Sequence, residues 1–359
     1  ANALETAMDP EALAQMVSAG TASIPAYEAY LQGLAAGFST LSTGDAYEFL
    51  RARDAFERAI EIDPEFAEAH WRLANFWEAQ LSETNIVSGT VELSRADMES
   101  SYASAIDNAI RYTRDPADKL FARAHKARTE LKFLQALRLN AEYLEHRPND
   151  QRAQDQQLTL LAMVGDAEGV LQAVADFDAR DGHDPTVVQN SLTRLTFVGD
   201  SEYTRKFAKE AIKRLPDQIF VQYQAHRALL SAGDVDGAAQ LLPVILSSDL
   251  PEFSRYLVLL RQACAENRVD DARRMYERGL RQFAGDYSNM WLSHMIMGET
   301  EAANAALMPL DQSGDLSGIS DFLSYGSFDA RAFPNLVALL QNQGLESREP
   351  VMLPYRCGR

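Results

Sequence analysis

The chain has 359 residues, 52 of them acidic and 34 basic, for a formal charge of -18 at pH 7. A field of that sign repels phosphate backbones and anionic lipid, so nucleic acid and membrane surfaces are excluded as expected partners. The two cysteines, Cys264 and Cys357, exclude a disulfide framework and a cysteine-rich metal site, and leave open whether they pair.

Length alone suggests two to three domains, unless the chain is a single elongated repeat array. A compact chain of this size buries enough surface to need no staple. No apolar run approaches the ~20 residues of a spanning helix. The sequence starts Ala1-Asn2-Ala3-Leu4 without a signal-peptide pattern, so a processed protein or part of a longer one is expected, and no membrane insertion by this segment. Only six basic residues are lysine; the arginine excess suits bidentate contacts to carboxylates.

Alternating strand patterns hardly occur, and helical periodicity is strong, so the expected class is all-α. Residues 1–24 read as a connector with an N-terminal helix. A long helix is expected from Pro25 to about Leu41, with an extended turn Ser42–Asp45. Phe56, Ala59 and Ile60 then share one helical face, as do Leu73, Ala74 and Trp77. Ser82–Ser94, with Asn85 and Gly89, reads as an insertion, either functional or mobile. Helical pairing resumes near Arg95–Thr113.

From there the chain repeats itself. Gly165-Asp166, Gly199-Asp200 and Gly233-Asp234 are turns spaced by 34 residues; one period later stands Asn267, and one period earlier Leu131. Flanking positions follow the same period. Five residues after each turn stand Ala136, Val170, Thr204, Ala238 and Ala272. Four later come Asn140, Val174, Ala208, Leu242 and Tyr276, and three later again Tyr143, Phe177, Ala211, Ile245 and Gly279. These are mostly small or apolar positions on one helical face. Helix ends are expected at Pro148, near Pro185, at Pro216 and at Pro251. The unit is a pair of helices that buries its apolar face only when stacked on a neighbour.

The segment Ala52-Arg-Asp-Ala-Phe56-Glu-Arg-Ala59-Ile-Glu-Ile-Asp-Pro64, followed by Ala67-Glu-Ala-His-Trp71-Arg-Leu73-Ala74-Asn-Phe-Trp77, resembles the tetratricopeptide repeat (TPR) family. The resemblance implies a right-handed TPR superhelix, an α-solenoid of about seven helical pairs over residues 25–297, followed by an irregular helical cap and extended tail over 298–359. Ile24-Pro-Ala-Tyr27-Glu-Ala-Tyr30-Leu31-Gln-Gly33 and the ending from Phe328 to Cys357 also look like TPR regions of bacterial multidomain signalling proteins that carry a TolB-like domain upstream. That narrower likeness implies a sensory or scaffolding segment, in the bacterial cytoplasm, or in the periplasm if the parent is membrane-anchored.

In a TPR superhelix the first helix of each pair lines the concave groove, which here offers Trp71 and Asn75, Phe121 and His125, Gln189, Tyr223, Arg227 and Arg261. Glu68, Asp155, Thr159, Thr193 and Leu257 fall on the same rows. An aromatic and arginine groove suits a protein or peptide partner, one with a basic surface given the chain's charge. Each aromatic taken singly is more simply read as packing between helices. A small-molecule sensor and a structural dimerisation module, giving a homodimer, are the alternative readings. Trp71 stands where a clamp for a terminal carboxylate needs lysine.

Enzymatic signals are absent. No glycine loop carries the Lys-Ser/Thr of a phosphate cradle, the six histidines are scattered, and Cys264 reads as a small core residue. Neither cofactor nor metal is expected.

Overall fold

The computed structural model describes residues 10–43, 46–81, 93–283 and 287–358, and every regular element among them is helical. The insertion at 82–94 falls largely outside the described residues, as does the tip of the Ser42–Asp45 turn. The chain forms two compact units, Ala1–Lys126 and Ala127–Arg359.

The first unit begins with α1 (Pro10–Ser18), and α2 (Ile24–Thr43) then pairs with α3 (Ala46–Ile62). The two approach so closely that a Cβ at Gly33 would fall 2.5 Å from the Phe56 ring. Tyr30, Phe56 and Phe66 close this cluster, with Tyr30 and Phe66 ring centroids 5.1 Å apart. α4 (Ala67–Leu81) pairs with α5 (Arg95–Tyr112), and α6 (Pro116–Thr129) follows.

In the second unit the sequence period becomes a conformational one. Leu131, Gly165, Gly199, Gly233 and Asn267 all have positive φ, from 58° to 84°. Each ends the first helix of a pair in the left-handed conformation, which glycine adopts without steric cost and asparagine tolerates. The residue after the turn then donates its N–H five residues back: Asp166 to Leu161 at 2.9 Å, Asp234 to Leu229 at 2.8 Å, Arg268 to Ala263 at 2.8 Å. The aspartate of each Gly-Asp turn has a second task. Asp166, Asp200 and Asp234 accept the N–H of Gly169, Tyr203 and Gly237, capping the second helix. One dipeptide therefore stops one helix and starts the next.

α7 (Phe133–His146) packs on α8 (Gln151–Met163); the pairs that follow are α8 with α9 (Ala167–Asp181), and α10 (Pro185–Val198) with α11 (Ser201–Arg214). α12 (Ile219–Ser231) is followed by a broken second helix, α13 (Val235–Ala239) and α14 (Leu242–Leu246). Pro243 has no N–H to give to Ala239, which accounts for the break. α15 (Glu252–Ala265) pairs with α16 (Val269–Gln282). Of the fifteen flanking positions read from the period, Leu242 in the broken helix stays half-buried while the others are buried.

Pairing continues one step further than the sequence register, in α17 (Tyr287–Met297) and α18 (Thr300–Ser313), which turn at Gly298 with φ +80°. Short α19 (Leu316–Ser320), two 3-10 turns and α20 (Pro334–Asn342) complete the chain. Trp291 of α17 is 1% exposed and packs on Phe322, Tyr325 and Phe328, with ring centroids 5.2, 5.3 and 6.0 Å away. The same apolar cluster contains Phe133, Leu160 and Met163 from the start of this unit. The end of the second unit thus packs back onto its beginning.

Candidate functional site

In the first unit, Trp71 is 8% exposed and packs on Phe121 and His125, with ring centroids 5.4 and 4.8 Å away. His125 Nε2 lies 2.8 Å from Glu78 Oε2. These rings bind α4 to α6 and present little surface. The half-buried members of this face are polar: Glu68, Arg72, Asn75 and Glu78. Arg72 holds Glu68 at 3.0 Å, and Glu68 also accepts the Tyr30 hydroxyl at 3.4 Å. Burial, then the Glu68 charge, pushes the Tyr30 hydroxyl up to about 12.

The second unit brings Gln189, Tyr223, Arg227 and Arg261 onto successive first helices, α10, α12 and α15. Arg261 is buried; it donates to Leu257 O at 3.1 Å and to the Tyr223 hydroxyl at 3.0 Å, with its guanidinium carbon 5.3 Å from the Tyr223 ring centre. Arg227 donates to Thr193 O at 3.2 Å. Arg194, one residue off the expected row, donates to Thr159 Oγ1 at 2.8 Å. Burial lowers the Arg227 pKa, and the neighbouring Arg261 charge lowers it further. Burial raises the carboxyl of Asp155 against the pull of Arg194 and Arg128. Gln189 is half-buried on the row, and its side chain enters no hydrogen bond with these arginines.

A segment the sequence treats as an irregular tail runs along this unit. Arg348 donates to Ala162 O at 3.2 Å, Leu323 O at 2.8 Å and Tyr325 O at 2.6 Å, and its guanidinium lies 3.8 Å from the Phe197 ring centre. Its burial lowers its pKa to about 10. Val351 N donates to Gly326 O at 2.7 Å, and Cys357 N to Ile296 O at 2.9 Å. A Cβ at Gly326 would fall 2.9 Å from the Phe197 backbone, so only glycine allows this approach. Gln343 accepts the Phe133 N–H at 2.9 Å and donates to Leu131 O at 2.8 Å. Cys264 is bonded to Cys357, 93 residues on, so the position read as a small core residue is a covalent anchor for the tail.

Arg348, Tyr325 and Tyr355 carry no sequence signal, because they lie outside the period and reach the site only through the return of the chain. Asp155 stands on the expected rows, and Arg194 lies one residue off them. Among the described residues no group of three or more His, Cys, Asp or Glu side chains is arranged to hold a metal ion, and no helix is long and apolar enough to cross a membrane.

No family model matches the chain, and no curated protein matches its sequence. A solved tetratricopeptide repeat protein from Parabacteroides merdae ATCC 43184 covers 70% of this chain and 92% of its own, at a TM-score of 0.45 and 12% identity. The described residues form an all-α, TPR-like array of helix pairs, as their own register of left-handed turns and capped second helices displays.

Proposed function

We propose that the chain is a non-catalytic binding scaffold, the sensory or scaffolding part of a bacterial signalling protein. The observation that carries this reading is the composition of the first-helix rows. Buried apolar residues hold the pairs together, while half-buried polar side chains recur beside them at the repeat spacing. Packing does not require those polar side chains; recognition of a docked partner would use them.

In the first unit the row combines Glu68, Asn75 and Glu78 with aromatic edges, which fits a protein segment bearing basic side chains. The net charge of -18 would steer such a partner inwards. The test is capture of binding proteins by the purified chain, compared with Asn75→Arg and with Glu68→Lys. Both variants are expected to lose the captured proteins. Identical capture by parent and variants would end the peptide reading.

In the second unit the returning segment 321–357 favours the alternative, a small-molecule sensor, because a face already covered by the chain's own segment is closed to a passing peptide. The Cys264–Cys357 bridge supports an oxidising compartment such as the periplasm.

A further inference from the structure

The second unit contains arginines with buried nitrogens that meet no hydrogen-bond partner. Arg261 is 3% exposed, and one of its terminal nitrogens, Nη1, has no hydrogen-bond partner. Nε of Arg227 and Nε of Arg194 are buried and equally unpartnered. None of the three is in an ion pair among the described residues, in a chain with 52 acidic side chains. Arg227 and Arg261 repel one another through a desolvated interior, and Tyr223, Tyr325 and Tyr355 are the other titratable groups that face Arg227. Asp155 interacts electrostatically with Arg194 and Arg128.

Buried guanidinium groups cost free energy unless an anion meets them. Arg227 and Tyr223 nevertheless keep part of their surface reachable by water. A planar guanidinium fork pairs with a carboxylate or a phosphate through two parallel hydrogen bonds. We infer that the second unit binds a small oxyanion, a carboxylate or phosphate group, between Arg227 and Arg261, with the Tyr223 hydroxyl beside it. This rests on the small-molecule reading of that unit and names its ligand class. The anion would supply the charge that the fold omits, and would couple its presence to how firmly the returning tail is held.

The test uses the full chain and four probes at matched ionic strength: sodium phosphate, sodium citrate, sodium chloride and neutral glucose. Melting midpoints and titration calorimetry are read for the parent, Arg227→Met, Arg261→Gln and the exposed control Arg278→Met. Phosphate or citrate, whichever chemistry the site takes, is expected to give a saturable stabilisation in the parent and in Arg278→Met. Affinity should fall roughly ten- to a hundred-fold in Arg227→Met, the loss of a charged hydrogen-bonding partner. Without ligand, Arg227→Met should melt no lower than the parent, because it removes an uncompensated charge; a structural arginine would instead lower the midpoint. If Arg227→Met does not fold, Arg261→Gln carries the same comparison. Stabilisation by glucose alone would overturn the anion. Absence of saturable binding by every probe, with a lower midpoint for Arg227→Met, would overturn both the anion and the small-molecule reading it rests on.

Discussion

Gly165→Ala tests the repeat at an exposed joint. Gly165 has φ +84°, and nothing lies within 4 Å of where its Cβ would stand. The substitution therefore meets no clash, and its cost is conformational. Holding a non-glycine residue in the left-handed region costs roughly 1–2 kcal/mol. Restricting the unfolded chain returns about 0.4–1 kcal/mol of that. The net expectation is a loss of about 1 kcal/mol, or about 2–4 °C in the melting midpoint for a unit of this size. Asn267 occupies the equivalent turn with φ 58° and is exposed. Asn267→Gly should therefore be neutral or slightly stabilising, and Asn267→Ala should lose stability as Gly165→Ala does. Urea unfolding followed by circular dichroism measures all three. If Gly165→Ala equals or exceeds the parent in stability, the left-handed turn does not end that helix and the repeat register is wrong.

Three further predictions follow from the second unit. Cys264→Ser with Cys357→Ser opens a loop of 93 residues, and chain entropy sets an upper loss of about 4.6 kcal/mol. Protease cleavage between Ser347 and Cys357 should accelerate in that double variant, and an unchanged cleavage pattern would show that the tail is held without the bond. Asp311 is 1% exposed and accepts the N–H groups of Asn335 and Leu336 at 3.2 and 2.9 Å, which anchors α20. Asp311→Ala should cost roughly 2 kcal/mol in denaturant unfolding, since it strands the buried Leu336 N–H and removes the bond to the exposed Asn335; a change below measurement error would refute that role. His226 is held neutral, its pKa lowered to about 3 by burial and then by Arg261, while Nε2 lies 3.0 Å from Gln262 Oε1. The unfolded chain binds this proton near pH 6.5, so stability is complete above that pH and declines as pH falls towards 3. At pH 5 the loss from this group is about 2 kcal/mol. His226→Gln should flatten the profile between those limits, and an unaltered slope would count against a buried neutral ring.

How much was legible depends on whether the cause was local. The 34-residue period, the helical class and the turn positions are written in residue types that act on their own backbone. Glycine and asparagine accept positive φ, aspartate caps the helix that follows, and small residues sit where paired helices meet. Leu131 was found by the period alone, since leucine has no preference for φ 59°. Its carbonyl is engaged by Gln343, more than two hundred residues away, a contact with no local trace. The break at Gln240–Leu241 was legible in Pro243 and was not read. Among the candidate site residues, one-dimensional counting placed Gln189, Tyr223, Arg227 and Arg261 on consecutive first helices. Packing of Trp71 and Phe121 between helices, the simpler reading of each aromatic, is what the structure shows, and His125 joins them.

By itself, then, the sequence determined a stack of helix pairs, because each pair is specified by residues within one period of one another. Tertiary structure alone decided what becomes of the inner face of the second unit. Arg348 on Phe197, Gly326 against the Phe197 backbone and Cys357 bonded to Cys264 are encounters between segments far apart in the chain. Such encounters depend on the accumulated curvature of many pairs, to which each repeat contributes a small rotation that no single residue encodes.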